Sequence, residues 1–270
     1  MRTQEKHATR FRSIQTSLLF VIVPAVIISM AVLSLMGYLS SKAIIQTSAG
    51  NEMSQCLSVA MGSIEMSLSN NRMVAETMAR GVEAVQRQAV KGEQTASDWD
   101  AAAYQEILTS FVGSNPETFG GGIWFEPYQY RPEQRYFSPY CMRQNGAVTY
   151  VDNYSLGEGV YYTDQDWYTN AANTTQKSVW SAPYYDEFAQ ISMVTSSAPI
   201  YDETGRFLGV ATADIDLTQM QQMVLSLDVV ANGRAFLIDD TGVYIADEDS
   251  EKLLSANILE DDNPSFAALG

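Results

Sequence analysis

Few residues here could serve as a nucleophile or hold a metal. The 270-residue chain has one histidine, His7, and two cysteines, Cys56 and Cys141. His7 precedes an apolar run and so falls outside a folded domain that follows it. Zinc sites built on His and Cys clusters are nearly excluded, as are Ser–His and Cys–His nucleophile pairs. No metal and no cofactor is expected. Carboxylate and aromatic chemistry remain: 32 Asp and Glu, 15 Tyr, 10 Phe and 4 Trp. Asp214 stands in the apolar strand-like run VATADIDL. Val210, Thr212, Asp214 and Asp216 share one face there, with Ala211, Ala213 and Ile215 on the other. An acid so placed is either solvent-facing or deliberately paired, because an unpartnered buried carboxylate is costly. The clusters Asp239-Asp240 and Asp247-Glu248-Asp249 lack the spacing and glycine of a calcium loop and read as solvated turns.

The elements that must carry these groups begin with an anchor. Arg2, Lys6, Arg10 and Arg12 precede Ser13–Ser41, a stretch without a charge whose core is Leu18–Met36. A spanning helix needs about 20 apolar residues, and Pro24 is tolerated in one. The basic flank places the N-terminus in the cytoplasm and everything after Lys42 outside. A cleaved signal peptide is the competing reading, but its apolar region is about 7–15 residues. All the acids except Glu5 lie beyond the span, and the net charge of -16 argues against a nucleic-acid partner. An outside compartment permits a disulfide, so two free thiols and one Cys56–Cys141 bridge both stay open.

Apolar residues then fall at helical steps: Ile45, Ala49, Met53, Leu57, Ala60, Ile64 and Leu68. After Ser69-Asn70-Asn71 they resume at Val74, Met78, Val82, Val85 and Ala89. A helix from Ile45 to Val90 would reach about 70 Å from the membrane, a stalk. Ser97-Asp98-Trp99-Asp100 reads as the start of a second helix that ends near Gly113. The period then changes. Phe119–Pro127, Gln134–Arg143, Ala147–Tyr154, Ile191–Asp202 and Phe207–Leu217 read as antiparallel strands. Asn145-Gly146 makes a hairpin turn and Asp202–Gly205 another. After a short helix over 217–227, Arg234–Asp249 repeats strand, Asp-Thr-Gly turn, strand. That second unit is too short to close its own core, so the chain reads as the front of a longer protein.

These pieces, in this order, resemble the double Cache family of extracytoplasmic ligand sensors. They are DQDWYTNA (164–171), WSAPYYDE (180–187), SSAPIYDETGRFLGVATADIDL (196–217) and FLIDDTGVYIADED (236–249). The resemblance covers about residue 37 to 270 and is nearest to the sensor half of a methyl-accepting chemotaxis protein. It implies an α+β fold: a transmembrane helix, a long stalk helix, then two PAS-like antiparallel-sheet units, the second incomplete. It divides the chain into a cytoplasmic N-terminus (1–12), the span (13–41), the stalk (42–95), a membrane-distal unit with the ligand pocket (96–222) and a truncated membrane-proximal unit (223–270). It implies no enzyme activity. A homodimer along the long helix and cytoplasmic signalling partners, reached through the missing C-terminal part, are expected.

Amino-acid-binding members of that family show Arg-x-Trp-Tyr, a later Tyr-x-Asp and an acid in the last strand. Trp167 and Tyr168, Tyr184 and Asp186, and Asp214 match these, but the arginine position holds Gln165, flanked by Asp164 and Asp166. A neutral amide cannot grip a carboxylate as a guanidinium does. Aromatic faces with two acids suit a cation instead. The expected ligand is therefore an amine or quaternary ammonium. An amino acid is the alternative, with Arg131, Arg135 or Arg143 supplying the clamp. Each site residue has a duller reading. Trp167, Tyr168 and Tyr184 could be core aromatics, and Asp186 a turn acid. Asp164 and Asp166 read better as helix-capping acids than as ligand contacts. Trp124 could line the pocket or fill the core. Sensors of histidine kinases and diguanylate cyclases share the family. An anchored hydrolase with paired carboxylates, and an ectodomain that binds only protein partners, are the rivals from other classes.

Overall fold

The computed structural model describes residues 14–89, 101–151, 154, 161–227 and 234–260. The expected helix start at 97–100 and the stretch after 260 lie outside them, as do residues 1–13, 90–100, 152–153, 155–160 and 228–233. By contacts the chain divides into 1–55 and 56–270. The first of these, where described, is helix alone, the opening part of α1 (Ile14–Ala89). Its apolar residues, from Phe20 through Leu39 to Ile45, are exposed. A window of it has a mean hydropathy of 2.5 with none of it buried. It is long and apolar enough to cross a bilayer.

In the second unit α1 continues unbroken through Ser69-Asn70-Asn71, where the sequence series pauses. The expected apolar stripe is only partly a buried one: Leu57 is exposed, and burial begins at Ala60. Val74, Met78 and Val82 of α1 and Tyr104, Leu108 and Val112 of α2 (Ala101–Ser114) form one core layer. They cover one face of an antiparallel sheet of seven strands: β1 (Gly120–Phe125), β2 (Tyr140–Gln144), β3 (Ala147–Val151), β4 (Val179–Trp180), β5 (Tyr184–Asp186), β6 (Ile191–Tyr201) and β7 (Phe207–Asp216). The order is β3-β2-β1-β7-β6-β4, with β5 beside β4 on the β6 edge. Ile123, Phe125, Ala198, Ile200, Ala211 and Ala213 face the two helices. Their neighbours one residue on face the other way, as strand alternation requires.

The expected strand over 134–143 begins only at Tyr140. Pro139 has no N–H for a ladder. Its carbonyl and that of Phe137 still accept from Ile123 and Phe125 at 3.0 and 3.1 Å. The β2–β3 turn is the expected Asn145-Gly146, with φ of 52° and 82°, the left-handed pair a type I′ hairpin needs. β4 and β5 are elements the sequence reading did not set out, and α3 (Asp166–Ala172) entered it only as the helix that Asp164 and Asp166 would cap. After α4 (Leu217–Leu225), β8 (Leu237–Ile238) and β9 (Tyr244–Ala246) form a two-stranded sheet. The Asp202 and Asp239 turns share three side-chain bonds. In each, one carboxylate oxygen accepts from the N–H and hydroxyl of the threonine two residues on and from the N–H four residues on. The turn between β8 and β9 thus repeats the local chemistry of the turn between β6 and β7. Cys56 and Cys141 are both free thiols, Cys141 buried in β2 beside the Thr109 hydroxyl.

Candidate functional site

The sheet face turned away from α1 and α2 carries the acids and aromatics. In β1 the side chains on this face are Gly120, Gly122 and Trp124, two of them absent. That clearance is filled from β2: Tyr140 pairs with Gly122, and its ring lies across the glycines. A Cβ at residue 122 would come within 2.9 Å of both Tyr140 and Trp124, and one at 120 would run into the Tyr140 hydroxyl. Beside β1, β7 presents Thr212 and Asp214, and β6 presents Met193 and Thr195, opposite Asp216 and Asp214. α3 covers this floor with Trp167, whose ring centroid is 4.8 Å from that of Trp124. Tyr154 stands edge-on to Trp124 and Tyr140 at 5.1 and 5.6 Å.

Asp214 is the centre of this arrangement and is 3% exposed. Tyr140 donates to its Oδ2 and Thr195 to its Oδ1, each at 2.8 Å. Tyr184 and Thr195 share a further hydroxyl–hydroxyl bond of 2.8 Å. Burial pushes the Asp214 carboxyl up to about 7; the two hydroxyl donors oppose this, and the charge of Asp186 adds to it. Burial and the nearby acids also hold the Tyr140 and Tyr184 phenols well above their ordinary value. Both therefore stay neutral donors. Asp186 ends β5. It accepts from Ala189 N at 2.7 Å and from Tyr154 at 3.3 Å, so it is held as a turn acid and faces the cavity as well.

The cavity these groups line is about 20 Å³, room for one water molecule or one ammonium group. Trp124, Trp167, Tyr184, Asp186 and Asp214 line it, joined by Tyr140, Tyr154, Met193, Thr195 and Thr212. Trp124 is at once core and lining: it is 3% exposed and donates to Thr212 at 2.8 Å. A larger chamber of about 330 Å³ shares Trp167 and Tyr184 with the small one, and Asp164, Gln165 and Asp166 are on its wall.

Two expected residues fall elsewhere. Tyr168 is buried in the same aromatic layer, but its hydroxyl donates to Glu126 at 2.7 Å, away from Asp214. Asp166 lines the outer chamber, not the inner cavity. Neither Asp164 nor Asp166 caps α3: the capping position is Gln165 and makes no side-chain bond, while Asp166 is the first helical residue. The arginines proposed as substitute clamps are engaged away from the cavity. Arg143 donates to the carbonyls of Val112, Asn115 and Thr118 at the end of α2. Arg131 lies over Tyr130 and Arg135 over Tyr136, each at 4.8 Å. Among the described residues, no Lys or Arg lines either space. Tyr140, Tyr154 and Thr195 were not foreseen.

Residues 104–222 match the family model described as methyl-accepting chemotaxis protein-like, first PDC sensor domain. The chain is 38% identical over 84 residues to the methyl-accepting chemotaxis protein McpC of Bacillus subtilis, 31% of this chain and 13% of that protein. It is 24% identical over 208 residues to McpA of Pseudomonas putida, 75% and 31%. The chain spans at most about a third of the length of the curated relatives it matches. Among solved structures, the extracellular domain of mmHK1S-Z3, designated a histidine kinase, superposes with a TM-score of 0.63 at 20% identity. That match covers 77% of this chain and 73% of the other. The ligand-binding domain of the Pseudomonas aeruginosa amino acid chemoreceptor PctC, in complex with GABA, superposes with 0.53 at 18% identity over 78% and 80%. The PAS-like fold and the resemblance to double Cache sensors of chemotaxis receptors stand on these matches.

Proposed function

We propose that this chain is the extracytoplasmic sensor part of a membrane-anchored chemotaxis receptor, and that its distal unit (96–222) binds a primary amine as the ammonium ion. One observation carries the ligand class. Asp214 is buried among aromatic rings and, among the described residues, has hydroxyl donors alone and no cation beside it. A carboxylate there is stabilised by an incoming cation, and the faces of Trp124, Trp167 and Tyr154 attract one by about 0.5–2 kcal/mol each. The cavity volume of about 20 Å³ favours –NH3⁺ over a quaternary head.

The solved neighbour PctC is described with GABA, a ligand that carries a carboxylate as well as an ammonium group. Gln165 in place of the expected arginine, with Asp164 and Asp166 beside it, weighs against a carboxylate here. In this reading the helix over 13–41 anchors the chain in the cell membrane. The receptor is a homodimer along α1, and the signal passes to cytoplasmic partners through chain beyond residue 270. Ligand binding shifts the population of loop conformers around Trp167 and Asp186, by no more than the ligand's preference for one conformer. The test is a titration of the purified chain in lipid nanodiscs with n-butylamine, choline and a set of L-amino acids, read by tryptophan fluorescence. Saturable binding of the primary amine alone supports the reading; binding of amino acids alone sinks it.

A further inference from the structure

The β5–β6 hairpin has two faces, because side chains alternate along a strand. Tyr184, Asp186 and Met193 line the small cavity at Asp214. Tyr185 and Ser192, paired across the hairpin, line a different space, a cleft of about 230 Å³. Leu217 and Gln221 of α4 make its second wall. Ile245 of β9, with Leu253 and Leu254 beyond it, makes the third. Among the described residues, the cleft and the Asp214 cavity share no lining side chain.

The walls have the make-up of a small-molecule site: aliphatic surface with a few polar groups. Among the described residues none of the lining is charged, in a chain with 32 acids. The side chains of Tyr185, Gln190 and Ser192 make no hydrogen bond among the described residues, although Ser192 is half-buried. Gln190 and Leu254, on different walls, each hold left-handed backbone with φ of 56°, where glycine would be relaxed. Leu254 is kept there by packing against the cluster of Val194, Ile215, Leu217 and Met220. Gln190 is exposed. Its N–H donates to the Asp186 carbonyl at 2.7 Å, which a glycine would do equally well. What glycine would lack is the amide on the cleft wall.

We propose that this cleft is a second ligand site, taking a small neutral molecule with an apolar body and one or two hydroxyl or amide groups. A charged molecule would give up water and meet no counter-charge on the wall. The ligand bridges the hairpin to α4 and to the segment that follows β9. It thus acts on the hairpin that carries Tyr184 and Asp186 without competing for Asp214.

The experiment uses the full chain in lipid nanodiscs, with empty nanodiscs as the reference for partition into lipid. Three probes built on one ring are titrated by saturation-transfer NMR. They are neutral 3-hydroxybenzyl alcohol, the anion 3-hydroxybenzoate and the cation 3-hydroxyphenyltrimethylammonium. The neutral probe is expected to bind saturably and at least about tenfold more tightly than either charged one. Ser192→Trp fills the cleft and should weaken the neutral probe at least about tenfold. Gln190→Gly removes the amide at a position glycine accepts, so it should keep the thermal midpoint within a few degrees and weaken the probe about fivefold, the scale of one hydrogen bond. It also decides the matter if Ser192→Trp does not fold. No saturable binding of the neutral probe overturns the inference. So does binding that Gln190→Gly and a folded Ser192→Trp leave unchanged, since the probe then sits elsewhere. A charged probe that binds as tightly as the neutral one, and is lost with it in the variants, overturns the ligand class.

Discussion

At the scale of the residue, the chemistry turns on one carboxyl group. Burial raises the Asp214 pKa from 3.8 to about 7, so the folded chain holds this proton more tightly than the unfolded chain does. The contribution is fully present below about pH 4 and is lost as pH rises through 7. Over that window the unliganded protein should lose about 1.4 kcal/mol of stability per pH unit relative to Asp214→Asn, which cannot titrate. Denaturant unfolding of both proteins at pH 5 and pH 7 measures this; parallel curves would show that Asp214 is not the titrating group. An ammonium ligand favours the ionised form, so its affinity should rise between pH 6 and pH 8 in the unaltered chain. Tyr140→Phe removes one of the two donors to Asp214. It should cost about 1–3 kcal/mol, seen as a lowered denaturation midpoint, and move the Asp214 titration further up.

At the scale of the element, most of the sheet could be read from alternation and turn residues, and so could the face that carries Asp214. Thr195 could not. Counting back from the Tyr201–Phe207 pair beside the turn at constant register puts Val194, not Thr195, opposite Asp214. A bulge between Ile200 and Tyr201 shifts the pairing by one residue, and a one-residue slip exchanges the two faces of a strand. Tyr154 was legible only as the last residue of the expected Ala147–Tyr154 strand, not as a site residue, because nothing in that strand's pattern singles it out. Tyr184 and Asp186 were reached through the resemblance to known sensors, because a three-residue strand carries too little pattern to be read alone. The run Gly120-Gly121-Gly122 was legible only as a sheet boundary. Its role is clearance for Tyr140 and Trp124. Gly120→Ala should therefore displace Tyr140 from Asp214, lower stability by about 1–3 kcal/mol and weaken amine binding. Gly113→Ala, where a Cβ meets nothing within 4 Å in α2, should be neutral or gain up to about 1 kcal/mol. Thermal unfolding of the two variants tells them apart; an equal loss in both would remove the special role of Gly120.

At the scale of the whole molecule, a sensor must couple occupancy to conformation. A ligand at 100 times its dissociation constant should stabilise the folded chain by about 2.7 kcal/mol. The apolar opening of α1 was legible from its uncharged run, and its exposure in the fold agrees with a helix that has lipid for a neighbour. The stalk stripe was legible as a period but not as a boundary, since periodicity does not say where packing partners begin. The central claim is that Asp214 holds an ammonium group. The most direct measurement is calorimetric titration of n-butylamine into the unaltered chain and into Asp214→Asn, in nanodiscs at pH 8. The account predicts saturable binding to the first and a loss of about 100-fold or more in the second, the cost of deleting one partner of a buried charge pair. Equal affinity of the two proteins for the amine would contradict it.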